Sequence, residues 1–346
     1  MAKRHDLTVK KITRLTPSSA AITLKVPEDL ISSFSFQAGQ YLSLEASIGG
    51  QTVRRSYSLC SSPHEKDLTV GVKKLKNGVF SSYANDRLNV GDQLNVGLPE
   101  GRFVFIPSDE EQHLLAFAAG SGITPIFSIL KTALEQTSNT SIQLVYGNKS
   151  VEESMFKAEL EALEAAYPNR FKIHWVFSED NVSEALFGRI DSSTVHYALN
   201  NAQKSPSSIY LCGPEAMIHL VKDTLIAKQL SPSKIHFELF SSASSEAPKE
   251  ASIDQVELTI LSDDATHVIT SSAKKTLLDA ALQQNIEVPY SCQGGVCSSC
   301  IAKISEGKAE MENNQILTEE EIEEGLVLTC QAYPKTTSVS VNYDDV

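Results

Sequence analysis

The sequence predicts a multidomain chain in three parts: a small antiparallel β-barrel, a doubly wound α/β domain, and a C-terminal domain built around four cysteines. Three observations predict it. Over about the first hundred residues, short alternating segments are broken by turns, with no long helical pattern between them. From about His113 the period changes to strand, helix, strand. Near the end, Cys292, Cys297 and Cys300 stand at C-x4-C-x2-C, and Cys330 follows.

The 346 residues are enough for two or three domains. With 41% apolar residues and no apolar run long enough to span a bilayer, no membrane association is expected. The start, MAKRHDLTVKK, lacks an apolar signal core. Six cysteines, four of them in one metal-ligand pattern, leave Cys60 and Cys212 as free thiols, and a reducing cytoplasm is expected. The net charge of −13 is uneven: from Ile253 onward there are 16 acidic and 5 basic side chains. That acidity reads equally as a solvated face and as a docking face for a basic redox partner. Nucleic acid is disfavoured as a partner, because phosphates would be repelled. No HExxH pattern and no Gly-x-Ser-x-Gly elbow appears, which argues against a hydrolase.

In the first part LTVKKITRL, AAITLKV, YLSLEAS and LTVGVKK alternate as strands, with turns at Gly39, Gly49-Gly50, Gly78 and Gly91-Asp92. A strand sends Arg55 and Tyr57 to one face, so one can neutralise a phosphate while the other lies on a flat ring. Alone, Arg55-Ser56-Tyr57-Ser58 is more simply a half-buried strand with a surface arginine. Gly78-Val79-Phe80-Ser81-Ser82 is a glycine turn before a short helix, where free N–H groups and hydroxyls suit a pyrophosphate.

In the second part HLLAFAAG and SIQLVYGN flank a helical SGITPIFSILKTALEQ. FKIHWVFS and SSIYLCGP add strands, and EESMFKAELEALEAAY and EAMIHLVKDTLIAKQ add amphipathic helices. The first turn, Gly120-Ser121-Gly122-Ile123-Thr124-Pro125, places proline in the opening turn of a helix, where its missing N–H costs nothing. Two later strand ends, Tyr146-Gly147-Asn148 and Cys212-Gly213-Pro214, point into the same crevice. By itself Cys212 reads as a small buried hydrophobe.

SSASSEAPKEAS, residues 241–252, has no period and reads as a flexible tether. Beyond it VELTIL and HVITSS form a hairpin, and TLLDAALQQN a helix leading to Pro289. Thr318 and Glu321 form a capping box, with Gly325 as the C-cap. In the loop PYSCQGGVCSSC, Gly294 and Gly295 are expected at positive φ, and Ser291, Ser298 and Ser299 keep the periphery small. The cysteine spacing is that of a plant-type [2Fe–2S] centre. Four cysteines also suit zinc, but zinc ribbons bring two CxxC pairs and only Cys297 and Cys300 form one here.

Residues 253–346 resemble a plant-type ferredoxin domain of β-grasp fold. The RxYS and GxxS motifs at Arg55, Tyr57, Ser58, Gly78 and Ser81 resemble the flavin barrel of the ferredoxin–NADP reductase superfamily. GxGxxP and CGPxxM, ending at Met217, resemble its pyridine-nucleotide domain. In that order the parts resemble the reductase components of ring-attacking oxygenases over essentially the whole chain.

The resemblance implies an FAD-binding barrel (1–108), an NAD(P)-binding α/β domain (109–240), a linker (241–252) and a [2Fe–2S] ferredoxin-type domain (253–346). It implies that Tyr57 packs on the isoalloxazine and Arg55 pairs with the FAD pyrophosphate. Ser81 and Ser82 stand at the helix start, and the strand through Val70, Val72 and Lys73 runs alongside the flavin. Gly120, Gly122, Thr124, Asn148, Lys149, Cys212, Gly213 and Pro214 would receive the nucleotide, and Phe240 would approach the flavin. Tyr57, Ser58 and Cys212 would be the catalytic group, and Cys292, Cys297, Cys300 and Cys330 the metal ligands. Lys149 stands where arginine is common and Gln293 where a basic residue is common; with no acid ending the second strand, NADPH is favoured over NADH.

The implied activity is hydride uptake from NAD(P)H onto FAD and single-electron delivery through the cluster to a separate oxygenase of aromatic or aryl-CoA catabolism. Alternatives are a hybrid-cluster or haem protein as acceptor and, outside enzymes, a zinc-stabilised binding module. The isolated chain is expected to be a monomer or weak oligomer.

Overall fold

The computed structural model describes residues 4–346 except 203, 241–253, 291, 292, 296 and 315. The tether, Ser291 and the ligand Cys292 therefore lie outside the described residues. The chain divides into two compact units, one of Arg4–Leu239 and one containing Phe240–Val346. Among the described residues no helix is long and apolar enough to cross a membrane.

The first unit opens with β1 (Arg4–Thr16), β2 (Ser19–Lys25), β3 (Tyr41–Ile48), β4 (Gln51–Ser58), β5 (Leu68–Lys73), α1 (Val79–Asp86) and β6 (Gln93–Gly97). The strands form an antiparallel sheet in the order β4-β3-β6-β1-β2-β5. Its ends meet, since Leu59 bridges Val70 and Cys60 N–H donates to Thr69 O at 2.8 Å, which curls the sheet into a barrel. Alternation fills it: Leu42, Leu44, Ile22, Leu24, Val70 and Val72 are all fully buried. The two-residue hairpin Gly49-Gly50 has both φ values positive (62° and 79°), as a twisted β3–β4 ribbon requires.

The same unit continues through β7 (Gln112–Ala119), α2 (Ile123–Gln136), β8 (Thr140–Asn148), α3 (Lys157–Ala166), β9 (Phe171–Phe177), β10 (Leu186–Phe187), α4 (Ser192–Asn201), β11 (Ser208–Gly213), α5 (Glu215–Ala227) and β12 (Ile235–Leu239). The parallel order is β10-β9-β8-β7-β11-β12. Chain direction across the sheet reverses between β7 and β11, which opens a crevice at their carboxyl ends.

One helix starts later than its sequence pattern. EESMFKAELEALEAAY is helical only from Lys157, because Met155 and Phe156 are buried and Phe156 sits in the left-handed region at φ 58°. Its ring stacks on Phe127 at 4.6 Å between centroids, and the β5 backbone at Gly71 lies against both Met155 and Phe156. Burial against the barrel has overridden helix propensity in that first turn.

The second unit contains β13 (Gln255–Ser262), β14 (Ala265–Ser272), α6 (Leu277–Gln283), β15 (Ile301–Glu306), β16 (Ala309–Met311), α7 (Glu319–Glu323), β17 (Leu326–Leu328), β18 (Ala332–Pro334) and β19 (Ser338–Asn342). Its five-stranded sheet runs β14-β13-β19-β15-β17, with β13 and β19 parallel and the other pairs antiparallel. Leu277, Leu278 and Ala281 of α6 join its core, so the sheet grips one helix. The Thr318–Glu321 capping box is formed, and Gly325 follows at φ 93°.

Candidate functional site

On β4, Arg54 is taken by Glu45 at 2.9 Å. Arg55 is exposed, and its one hydrogen bond among the described residues runs to the Arg54 carbonyl at 2.6 Å, so its charge is available to a ligand. Two residues on, Tyr57 is half-buried, with its ring 5.5 Å from that of Phe80. Burial pushes the Tyr57 phenol up, and the nearby Arg55 charge only partly opposes this. A neutral flat ring therefore stands beside an available cation.

The turn before α1 differs in detail from its reading as a phosphate cradle. Ser81 is buried and its hydroxyl is engaged: it accepts from Leu75 N–H at 3.1 Å, with Gly78 O at 3.4 Å. A Cβ at Gly78 would lie 2.3 Å from that hydroxyl oxygen, so the glycine makes room for the turn itself. No side chain caps α1, and Ser82 at its start is only partly buried. Val72 is fully buried in the barrel, so only its backbone can face a ring outside; Asn85 Nδ2 holds its carbonyl at 3.2 Å.

At the head of the crevice Gly120 has φ 54°, and a Cβ there would meet nothing within 4 Å, which leaves its surroundings open to a ligand. Gly122 is required for a different reason. A Cβ on it would sit 2.1 Å from Cys212 O, so the missing side chain lets the start of α2 pass directly over the end of β11. Thr124 is buried and donates its hydroxyl to Ser121 O at 3.0 Å. At the end of β8 the buried Asn148 carboxamide lies beside the Tyr146 hydroxyl, yet neither of its polar atoms has a partner of ordinary geometry. Tyr146 donates instead to Gly120 O at 3.0 Å. Lys149 is exposed and 3.5 Å from Glu179. Met217 backs Gly213, where a Cβ would come within 2.9 Å of its Cε, and Pro214 precedes the first residue of α5.

Cys212 is fully buried, and burial, with a smaller contribution from Glu238, raises its thiol well above the ordinary value. It stays protonated and is no nucleophile. Its neighbour in register on β12 is Glu238, whose Oε2 accepts a hydrogen bond from Ser58 Oγ at 3.0 Å with both residues buried. Glu238 was not singled out from the sequence. Its only signal there is an acid between Phe237 and Leu239 near the end of the IHFEL strand. Phe240 follows β12 and is 43% exposed.

In the second unit Cys297, Cys300 and Cys330 are buried with no disulfide. The loop conformation departs from expectation at one glycine. Gln293 (φ 55°) and Gly295 (φ 73°) take the left-handed positions and Gly294 does not. Gln331 Nε2 holds Gln293 O at 3.0 Å, and Asn313 Nδ2 holds Gly294 O at 2.9 Å, which fixes the backbone that way. A Cβ at Gly295 would meet Asn313 O at 2.7 Å. Thr329 donates to Cys300 O through both its N–H and its hydroxyl, each at 3.0 Å. Among the described residues no group of three metal-ligating side chains is found, and Cys292, the first cysteine of the pattern, lies outside them.

Three family models match successive parts of the chain. Residues 6–105 match the model for an oxidoreductase FAD-binding domain, 117–223 an oxidoreductase NAD-binding domain, and 260–335 a 2Fe-2S iron-sulfur cluster binding domain. The chain is 35% identical to one component of the 1,2-phenylacetyl-CoA epoxidase of Escherichia coli K12, over 99% of each chain. It is also 35% identical to the ferredoxin reductase component of the 3-ketosteroid-9-alpha-monooxygenase of Rhodococcus rhodochrous, over 97% of this chain and 96% of that one. Among solved structures, phthalate dioxygenase reductase has the same fold, with a TM-score of 0.62 over 98% of each chain at 23% identity.

Proposed function

Because the chain belongs to the family of FAD- and NAD-binding oxidoreductases that carry a C-terminal 2Fe-2S domain, we propose that it is the reductase component of a separate oxygenase acting on aromatic or aryl-CoA substrates. Bound FAD supplies the conversion between the two-electron hydride of NAD(P)H and the single electrons that a [2Fe–2S] centre carries. The chain's own residues place these groups. The observation that carries the reading is the Ser58–Glu238 hydrogen bond beside Cys212, which joins the end of the flavin-motif strand to the carboxyl ends of the nucleotide sheet.

In this reading Arg55 neutralises the FAD pyrophosphate, together with the uncapped N–H groups of α1 and Ser82, and Tyr57 covers the ring. Ser58 and Cys212 border the hydride path without changing charge. Gly120, Asn148 and the β11 end, Gly213 and Pro214, receive the nucleotide, and the buried cysteines hold the cluster with Cys292. The names of both relatives, one belonging to an epoxidase and one to a monooxygenase, support an oxygenase partner over a hybrid-cluster or haem acceptor.

Purified anaerobically, the protein is expected to carry one FAD and about two irons per chain and to oxidise NAD(P)H with artificial acceptors. A colourless, zinc-containing protein without turnover would overturn the reading. For the nucleotide we propose NADPH: Lys149 and Ser150 follow the end of β8 without an acid, and the exposed Glu179 is a partner that a 2′-phosphate can displace. Lys149→Ala is expected to raise KM for NADPH about tenfold and to leave KM for NADH within about twofold. Equal effects on both nucleotides would remove the basis for the preference.

A further inference from the structure

The segment leaving β8 reaches back to the barrel through one side chain that lies outside the flavin and nucleotide motifs. Glu153 Oε2 accepts a hydrogen bond from Ser18 Oγ, in the β1–β2 turn, at 2.6 Å. The same oxygen is 3.0 Å from Lys73 Nζ at the end of β5. Ser18 is itself tied to that strand end, because its carbonyl accepts from Lys74 N–H at 2.7 Å. One carboxylate thus links the loop that begins at Asn148–Lys149 to the strand expected to run alongside the flavin.

The rest of the loop is fitted to that strand as well. A Cβ on Gly71 would lie 2.5 Å from Thr124 Cγ2 and 3.2 Å from Met155 Cε, so β5 passes directly over the start of α2 and the end of the loop. Phe156 takes its left-handed conformation there and stacks on Phe127. Burial pushes Glu153 up, but the hydrogen bonds from Ser18 and Lys73 and the charges of Lys73 and Lys149 outweigh it and hold the carboxyl below its ordinary value. The tie is therefore ionised at neutral pH.

Stability alone gives this contact little to do. The Lys73 and Glu153 side chains are 23% and 25% exposed, and an ion pair that wet adds little to folding. The barrel and nucleotide domain are already joined elsewhere by Ser128 Oγ donating to Ser61 O at 2.6 Å, by Lys131–Glu65, and by Tyr210 to Val104 O at 3.3 Å. Those contacts involve α2, the β11 strand and the barrel rim. The Glu153 tie instead joins the loop following the nucleotide strand β8 to the β1–β2 turn and the end of β5.

We propose that Glu153 is a positioning residue for hydride transfer, fixing the loop after β8 to the end of β5 and so setting the gap between nicotinamide and flavin. The inference rests on the assignment of FAD to the barrel and nucleotide to the crevice. Bound FAD would take up, as hydride, the electron pair and proton released when the nicotinamide C4–H bond breaks, leaving oxidised nucleotide, and Glu153 would exchange no proton or electron.

The test uses the full-length holoprotein and anaerobic stopped-flow reduction by NADPH and by NADH, with Glu153→Gln, Glu153→Lys, Lys73→Glu and the reversed pair Glu153→Lys/Lys73→Glu. In the two charge-reversed single variants the limiting rate of flavin reduction is expected to fall at least about tenfold, as a misaligned approach predicts. The Kd for NADH, which carries no 2′-phosphate to meet Lys149, should change less than about twofold, and the long-wavelength absorbance of a nicotinamide stacked on flavin should weaken. Glu153→Gln, which keeps the Ser18 bond, should lose less, and the reversed pair should recover most of the rate. The proposal is overturned by wild-type rates in the single variants, by a change in Kd alone, or by a reversed pair as slow as the singles. It is also overturned by slowing that accompanies loss of bound FAD. If the wild-type protein itself is not reduced by either nucleotide, the functional assignment fails instead.

Discussion

Replacing Cys330 with serine is expected to abolish electron delivery to a one-electron protein acceptor while NAD(P)H still reduces the flavin. Cys330 is 5% exposed, and its carbonyl accepts from Gln331 Nε2 at 3.0 Å. The same amide holds Gln293 O, so one side chain fixes both the last ligand and the first turn of the cluster loop. A serine oxygen is a harder ligand than thiolate and suits an iron–sulfur centre poorly. The residues assigned to flavin and nucleotide, Phe240 apart, lie in the other compact unit. Iron and sulfide content should therefore fall, and reduction of a haem protein such as cytochrome c should drop to background. Reduction of ferricyanide, which accepts directly from flavin, should stay within about twofold. Retention of two irons with undiminished cytochrome reduction would sink the cluster assignment.

What could be read in the sequence was whatever is local along the chain. The cysteine spacing, the switch from alternating to helical period near His113, the Gly49-Gly50 hairpin and the Thr318–Glu321 box all depend on neighbours close in sequence. The unread parts depend on distant partners. Glu238 acquires its meaning from Ser58, 180 residues away, and nothing local marks that pairing. The late start of α3 follows from Met155 and Phe156 being buried against barrel strand β5, a tertiary gain that overrides a good helical pattern. At Gly294 the expectation of positive φ rested on residue type, whereas Gln331 and Asn313 hold the neighbouring carbonyls and hand that conformation to Gln293. Ser81 and Val72 sit within motif-bearing segments, but a motif does not say which atoms are already engaged by the fold. The hydroxyl of Ser81 holds its own turn, and the side chain of Val72 fills the barrel. Gly122 was marked by its motif, but the reason for it, the Cys212 carbonyl 2.1 Å from an added Cβ, is a packing fact.

Ser58→Ala is expected to slow flavin reduction by about a hundredfold, the scale of loss when a reacting geometry drifts by an ångström or so. The hydroxyl belongs to a residue only 3% exposed and donates to Glu238 Oε2. Alanine would leave that carboxylate oxygen, on a residue 8% exposed at the end of β12, without its partner from β4. Losing a buried hydrogen bond to a charged acceptor costs about 1.5–3 kcal/mol, so some fall in Tm should accompany the kinetic effect. Two comparisons separate the causes. Ser58→Thr keeps the hydroxyl and should retain more of the rate than alanine at similar FAD content. Glu238→Gln keeps an acceptor for Ser58 but removes the charge beside Cys212; if only hydrogen bonding matters, its reduction rate should lie near wild type. Should Ser58→Ala bind FAD normally and be reduced at the wild-type rate, the meeting of β4, β11 and β12 would be a structural seam, and the hydride path would have to lie elsewhere in the crevice.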